Sequence, residues 1–215
     1  MKKRVAILIS GRGSNMMSLV EAARAPGFPA EVVAVVSSRP EAPGLAWAKA
    51  QGVPAVALDH KAYPSREAFD DAVHAALTAA GADLVALAGF MRIQSAGFVD
   101  RWQGRQLNIH PSLLPLFKGL HPQRQALQAG VRVSGCSVHF VTAEMDAGPI
   151  VAQAAVPVLS GDTEETLAER ILIAEHRLYP HALALVASGS AVLEGGRVNV
   201  KEAINQAGFL YSPPL

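Results

Sequence analysis

Four stretches of the 215-residue sequence carry side chains suited to acid, base or anion chemistry. The first is Asn108-Ile109-His110-Pro111-Ser112. Asn108 and His110 are two apart, so in an extended chain both side chains leave the same face. Pro111 pushes the residue before it towards extended backbone, which supports that alignment. An amide N–H beside an imidazole is a donor pair for a developing oxyanion. The same residues also suit a strand end at which they satisfy backbone groups.

The second stretch is Ser10-Gly11-Arg12-Gly13-Ser14-Asn15-Met16. It follows an apolar run and opens a helical one. Glycines let backbone approach an anion, and a helix N-terminus presents free N–H groups. The first two glycines fit G-x-G-x-x-G, but the sixth position is Met16, and the next strand ends Ser37-Ser38-Arg39 with no acid for a ribose diol. A phosphate on a small ligand therefore fits better than a nicotinamide dinucleotide, while a plain turn needing glycine at φ > 0 is the other reading. The third stretch is Thr142-Ala143-Glu144-Met145-Asp146-Ala147-Gly148-Pro149-Ile150. It is either an ordinary turn or an acid brought to His110, where it would favour the charged imidazole. The fourth, Ala88-Gly89-Phe90-Met91-Arg92-Ile93-Gln94, is either a dock for a flat heterocycle on free backbone groups or a connection whose Phe90 and Met91 fill the core.

Other candidates carry less. His60, His74, His139, His176 and His181 lack metal-ligand spacing with carboxylates, and no metal site is expected. Cys136 lies within an apparent strand and reads as core rather than nucleophile. The Gly- and Pro-rich stretch 115–122, which holds His121, reads as a mobile flap, and Leu114–Pro115 is a candidate cis bond in a tight loop.

These residues need a scaffold. Hydrophobic runs predict strands over 4–9, 31–36, 54–58 and 84–88, and a fifth ending at Ile109. Helical patterns lie between them at 16–25, 44–51, from Ser65 to about Ala80, and near 96–102. That alternation predicts a parallel sheet with helices on both faces. The pattern then changes to two long strands near a sheet edge, 133–141 and 150–158. A helix capped by Asp162 with Glu165 follows, running to about Val186 with Leu167, Ile171, Ala174, Leu178, Ala182 and Leu185 as its apolar stripe. Glu175 sits at the edge of that stripe, and 191–199 suits a small hairpin. An open α/β sheet holds its ligand outside the carboxyl ends of its strands, which directs attention to the loops after strands one, four and five and to the loop around Asp146.

Composition narrows the function. Nineteen basic against 18 acidic residues leave a charge of +1, which does not favour nucleic acid or a membrane surface as partner. One cysteine rules out an internal disulfide and a multi-cysteine zinc site and fits a reducing cytoplasm. The longest apolar stretch, 82–91, is too short to span a bilayer, and the first apolar run ends too soon for a signal peptide.

Taken in order, ISGRGSN, SREAF, LAGFMRI, LNIHPSLLP, GLHPQRQAL, SVHFVTAEMDAGPI and AEHRLYP resemble the phosphoribosylglycinamide formyltransferase family of folate-dependent enzymes. The resemblance runs from Val5 to about Pro180. It implies an α/β formyltransferase fold: an open, mostly parallel seven-stranded sheet flanked by helices, Rossmann-like in its N-terminal half. It implies one domain over 1–215, with a phosphate-binding half to about 105 and a folate-binding and catalytic half after about 106. The implied reaction moves a formyl group from 10-formyltetrahydrofolate, as co-substrate, to the amine of glycinamide ribonucleotide. Carried over by motif, the catalytic residues are Asn108, His110 and Asp146. The substrate side falls on Gly13, Ser14, Asn15, Met16 and Met17, with Glu175 meeting the substrate's amino end. The folate side falls on Arg66, Met91, Arg92, Ile93 and Gln94, together with Asn108. Arg12 occupies a variable motif position, where it touches phosphate or faces water. The expected partners are small molecules, without nucleic acid, membrane or metal, in a cytoplasmic monomer or homodimer. Methionyl-tRNA formyltransferase would carry a further C-terminal RNA-binding domain, and formyltetrahydrofolate hydrolase an N-terminal regulatory one. A Rossmann oxidoreductase or a non-catalytic nucleotide-binding module is the rival from another class.

Overall fold

The computed structural model describes residues 1–201. For 202–215, the expectation of one domain to 215 lies outside the described residues. The first half alternates as its hydrophobic pattern predicts: β1 (Lys3–Ile9), α1 (Ser14–Ala23), β2 (Ala30–Ser37), α2 (Pro43–Ala50), β3 (Ala55–Ala57), α3 (Arg66–Ala79), β4 (Leu84–Leu87), α4 (Ala96–Arg101) and β5 (Gln106–His110). After β5 come α5 (Pro122–Gln128), β6 (Val133–Phe140), β7 (Ile150–Pro157), the long α6 (Glu164–Ser188) and the hairpin β8 (Ala191–Glu194) and β9 (Arg197–Val200). The seven-stranded sheet has the order β3-β2-β1-β4-β5-β6-β7. Strands β1 to β5 pair in parallel, and β6 and β7 join antiparallel. The order reverses direction between β1 and β4, the place where open α/β sheets leave a crevice.

Strand alternation divides the core into two. Val5, Ile7 and Ile9 of β1 face one way, into a cluster with Met16 and Leu19 of α1 and Leu167, Ile171 and Tyr179 of α6. Ala6 and Leu8 face the other way, against Phe69, Val73 and Leu77 of α3 and Phe98 of α4. Every residue of β1 from Val5 on is therefore buried, as a strand covered on both faces requires. In β5, Leu107 and Ile109 join the α6 side. Alternation turns Asn108 and His110 to the opposite side.

Three elements differ from expectation. Helix α1 begins at Ser14, two residues early, because Gly13 takes a left-handed backbone (φ 71°) and turns the chain straight into the first helical turn. Helix α6 is capped by Thr163 with Thr166, whose side chains satisfy each other's backbone N–H groups, so Asp162 and Glu165 do not form the box. Asp162 instead makes a two-point ion pair with Arg170, at 2.7 and 2.9 Å. Helix α5 was not expected. It is short, and Pro122 at its start supplies the fixed φ that suits a first helical position.

One buried hydroxyl ties α6 to the sheet beneath the site. Tyr179 is wholly buried, and its O–H lies 3.0 Å from the Leu87 carbonyl and 3.1 Å from that of Leu107. Both carbonyls sit one residue from site segments, the loop after β4 and Asn108. Tyr179→Phe is expected to destabilise the fold by about 1–2 kcal/mol, the scale of a buried bond lost with its acceptor left behind. Urea unfolding of the two proteins side by side measures it.

Candidate active site

The segments after β1 and β4 wall one cavity of about 300 Å³, lined by Ser10 to Asn15, Arg39, Ala88, Gly89 and Met91. Within α1, the amides of Ser14, Asn15 and Met16 have no carbonyl one turn back to bond, so they are the free donors of this loop. Met17 differs from the rest of the predicted set: its N–H is bonded to the Gly13 carbonyl at 2.9 Å, and its side chain packs on the core. The Met16 side chain is fully buried, leaving only its backbone for a ligand. Gly44 of α2 lies tight under the loop, where an added Cβ would stand 2.9 Å from the Arg12 carbonyl. Arg12 and Arg39 are exposed at the cavity wall and bring positive charge to it.

Glu175 reaches this region from α6. It is buried and accepts a 2.7 Å hydrogen bond from Asn15 Nδ2. Burial pushes its carboxyl above the usual carboxylate range, and the Asn15 bond only partly opposes that. The stripe-edge acid of the sequence is thus joined to the anion loop.

The predicted folate-side residues form a second group. Met91, Arg92 and Ile93 are exposed, and Gln94 is half-buried, its Oε1 accepting from Gln106 Nε2. Phe90 turns inward instead and stacks on Phe69, ring centroids 6.5 Å apart. So Phe90 fills the core while Met91 does not. Arg66 starts α3, one turn before Phe69 and Asp70. Asp70 accepts the Ser95 N–H at 2.6 Å, binding the start of α3 to the end of this loop.

The third group is the predicted catalytic set. His110 Nδ1 stands 3.4 Å from Asp146 Oδ2, with both side chains about nine-tenths buried. The other ring nitrogen, Nε2, is 2.9 Å from the Phe117 carbonyl; a carbonyl only accepts, so Nε2 carries a proton. Asp146 Oδ2 also accepts the Gly119 N–H at 2.9 Å. Asp146 holds its place through a left-handed backbone (φ 50°), a conformation that Asp and Asn tolerate better than most residues. Two residues on, Gly148 has no room for a side chain, because an added Cβ would overlap the Phe140 carbonyl.

Asn108 does not bond His110 directly. Its Nδ2 lies 3.3 Å from His139 Nε2, across the β5–β6 pair in which Asn108 stands opposite His139. His139 Nδ1 lies 2.9 Å from the Phe140 carbonyl and so carries a proton. Burial holds the His139 imidazole below its usual range, opposed by that carbonyl and by Asp146. The neutral ring leaves Nε2 as acceptor, which fixes the direction of the Asn108 amide and leaves its second N–H for a ligand. His139 Nε2 is also 3.8 Å from Asp146 Oδ1. Sequence reasoning set His139 aside for want of metal-ligand spacing; only the antiparallel register of β6 on β5 brings it here.

The 115–122 stretch is fastened rather than free. Phe117 and Gly119 bond His110 and Asp146, Lys118 pairs with Glu144 at 3.2 Å, and Gln125 Nε2 donates to the carbonyls of Lys118 and Leu120. Ser137 Oγ accepts the Leu114 N–H and donates to the Ser112 carbonyl. The Leu114–Pro115 bond is cis. Cys136 lies in β6 beneath these groups, its thiol pushed up to about 12 by burial and by the charge of Glu175, so it is core. Among the described residues, no group of three His, Cys, Asp or Glu side chains is placed to hold a metal ion.

A glycine loop at the end of β1, a half-buried Asn108 near the largely buried His110 and Asp146, and a sheet with two added antiparallel strands make up the site and its scaffold, and the chain belongs to the formyl transferase family, whose match covers residues 3–183. It is 44% identical to the phosphoribosylglycinamide formyltransferase of Escherichia coli K12, over 86% of this chain and 87% of that protein. It is 52% identical to the bovine trifunctional purine biosynthetic protein adenosine-3 over 92% of this chain, but spans only 20% of that protein's length. The crystal structure of glycinamide ribonucleotide transformylase 1 from Symbiobacterium toebii superposes with a TM-score of 0.90 at 52% identity, covering 93% of this chain and 94% of that one.

Two predictions come from this geometry. Gly148→Ala would displace the Asp146 turn, and turnover is expected to fall at least about tenfold with the fold retained, measured by activity beside circular dichroism. Glu175 has a raised folded value, so the folded state keeps its proton above the unfolded value of about 4.3, and stability falls as pH rises between the two. Glu175→Gln should therefore raise Tm at pH 7 and leave it nearly unchanged at pH 4; the Tm–pH profiles of both proteins check this.

Proposed function

We propose that this chain transfers the formyl group of 10-formyltetrahydrofolate to the amine of glycinamide ribonucleotide. The single observation that carries this reading is the buried approach of Asp146 to His110, at 3.4 Å, beside Asn108. The close relatives named for this reaction support it. Because the chain spans about a fifth of the trifunctional relatives, it corresponds to one activity within them.

The phosphate is held by the free amides of Ser14, Asn15 and Met16 and by Gly13, with Arg12 and Arg39 adding charge. Glu175, bonded to Asn15, receives polar groups of the same ribonucleotide. The formyl donor lies along Met91 to Gln94 with Arg66 at its edge, and the exposed Met91 and Ile93 offer it an apolar bed. It supplies an already activated formyl carbon. The neutral amine attacks that carbon, a C–N bond forms, and the carbonyl electrons move to oxygen. The second Asn108 N–H and the His110 imidazole receive that oxygen. Asp146 attracts the charged imidazole and relays the amine proton through water to the departing folate nitrogen as the old C–N bond breaks. His139 orients the Asn108 amide.

We read 1–215 as one domain whose first half, to about 105, holds the phosphate and whose second half, from about 106, holds the catalytic set. The donor-side residues Arg66 and 91–94 come from the first half. The same reading puts the reaction in the cytoplasm, between small molecules, in a monomer or homodimer without nucleic acid or membrane partners. No described helix is long and apolar enough to cross a membrane.

A spectroscopic assay of folate release tests the reaction. Release is expected only when glycinamide ribonucleotide is present; release that ignores it would indicate hydrolysis. Asn108→Ala and Asp146→Asn, the latter preserving the left-handed turn, are expected to lower turnover by roughly 10²–10³ with ligand Kd little changed. Near wild-type turnover in either would remove its assigned role.

A further inference from the structure

Ser10 ends the β1 run and opens the anion loop, yet its side chain serves the loop after β4. The Met91 N–H donates to Ser10 Oγ at 2.9 Å. The Ser10 N–H donates to the Gly89 carbonyl at 3.1 Å, so one residue holds this loop by both main chain and side chain. Ser10 Oγ is 2.7 Å from Ser38 Oγ, in a buried pair. Ser38 is itself held: its N–H donates to the Ile9 carbonyl at 3.0 Å, and its carbonyl lies 2.9 Å from His60 Nδ1. The hydroxyl pair is therefore a fixed post between β1 and β2.

The two kinds of contact have different reach. The Ala88 N–H to Leu8 carbonyl and Ser10 N–H to Gly89 carbonyl bonds continue the β1–β4 ladder and anchor the root of the loop. The bond to Met91 lies beyond the ladder's end. Immediately after it the chain carries no regular structure, and Met91 and Ile93 are 71% and 69% exposed. The Ser10 hydroxyl thus sets the height of the backbone on which the exposed residues stand, and does so from the loop that faces the phosphate.

We propose that Ser10 is a positioning residue for the formyl donor: its hydroxyl holds the Met91 amide so that 91–94 present a preformed surface to the folate, while the anion loop proper is left unchanged. This rests on the assignment of 91–94 to the donor. A group that only stabilised the sheet would weaken both ligands alike. Ser10 is expected to act on one.

The test is Ser10→Ala, titrated separately with tetrahydrofolate and with glycinamide ribonucleotide by calorimetry. The tetrahydrofolate Kd is expected to rise about fivefold to tenfold, the scale of one net hydrogen bond, with the ribonucleotide Kd within about twofold. In turnover, KM for the donor rises by the same factor and kcat stays within about twofold. Ser38→Ala, which leaves the acceptor for Met91 in place, should change the tetrahydrofolate Kd less than twofold. An unchanged tetrahydrofolate Kd in folded Ser10→Ala, or an equal loss of both ligands, overturns the proposal. A wild-type protein that does not bind tetrahydrofolate at all removes the donor assignment and this inference with it. Hydrogen exchange of the wild-type protein reads the bond without any variant: the Met91 amide should exchange at least about tenfold more slowly than that of Arg92, and equal rates overturn the proposal.

Discussion

The site depends on a carboxylate placed against an imidazole where water is largely excluded. Burying Asp146 is unfavourable unless its oxygens are paired. The Gly119 N–H and the His110 ring provide that pairing. Each partner comes from a different part of the chain: His110 from the end of β5, Gly119 from the stretch before α5, and Asp146 from the turn between β6 and β7. Backbone conformations in these segments are also unusual. Asp146, Phe117 and His121 all adopt positive φ, rare for residues other than glycine. Strain of that kind persists where surrounding contacts over-determine the conformation, and here the Phe117 carbonyl bonds the His110 ring.

The change from parallel to antiparallel pairing after β5 has a chemical consequence. A parallel neighbour would need a long crossover to return. Antiparallel β6 instead runs back along β5 and sets His139 opposite Asn108. Four polar side chains then lie on one face of two adjacent strands and a turn. Burial holds the His139 imidazole below its usual range, and neutrality is what lets it accept from the amide of Asn108.

The anion loop and the loop after β4 share a wall because β1 and β4 are neighbours at the point where the strand order reverses. Their separation in sequence, from Ser10 to Met91, is closed by sheet pairing alone. The proposed catalytic residues lie differently from the loops: Asn108 and His110 are within β5, on its face, and not in the connection beyond it. The crevice rule for α/β sheets therefore locates the loops after β1 and β4, while strand alternation locates Asn108 and His110.

Much of this was legible in the residues themselves. Hydrophobic period and glycine punctuation sufficed for β1 to β5, the long α6 and the small hairpin, because those patterns report burial that a strand or helix must satisfy wherever it is packed. Asn108 and His110 could be put on one face from their two-residue spacing. The motif order marked Asp146 and the anion loop. The cap of α6, helix α5 and the bonded amide of Met17 were not legible, since each is decided by competition among local hydrogen bonds of similar strength. Nor was His139, because register between two antiparallel strands is a relation between distant segments and leaves no mark within either one. Residue types and their order specify which side chains could do acid, base and anion chemistry and which elements carry them. That a carboxylate, two imidazoles and an amide meet is a product of folding, because proximity across the chain is created by pairing and burial and not by spacing along it.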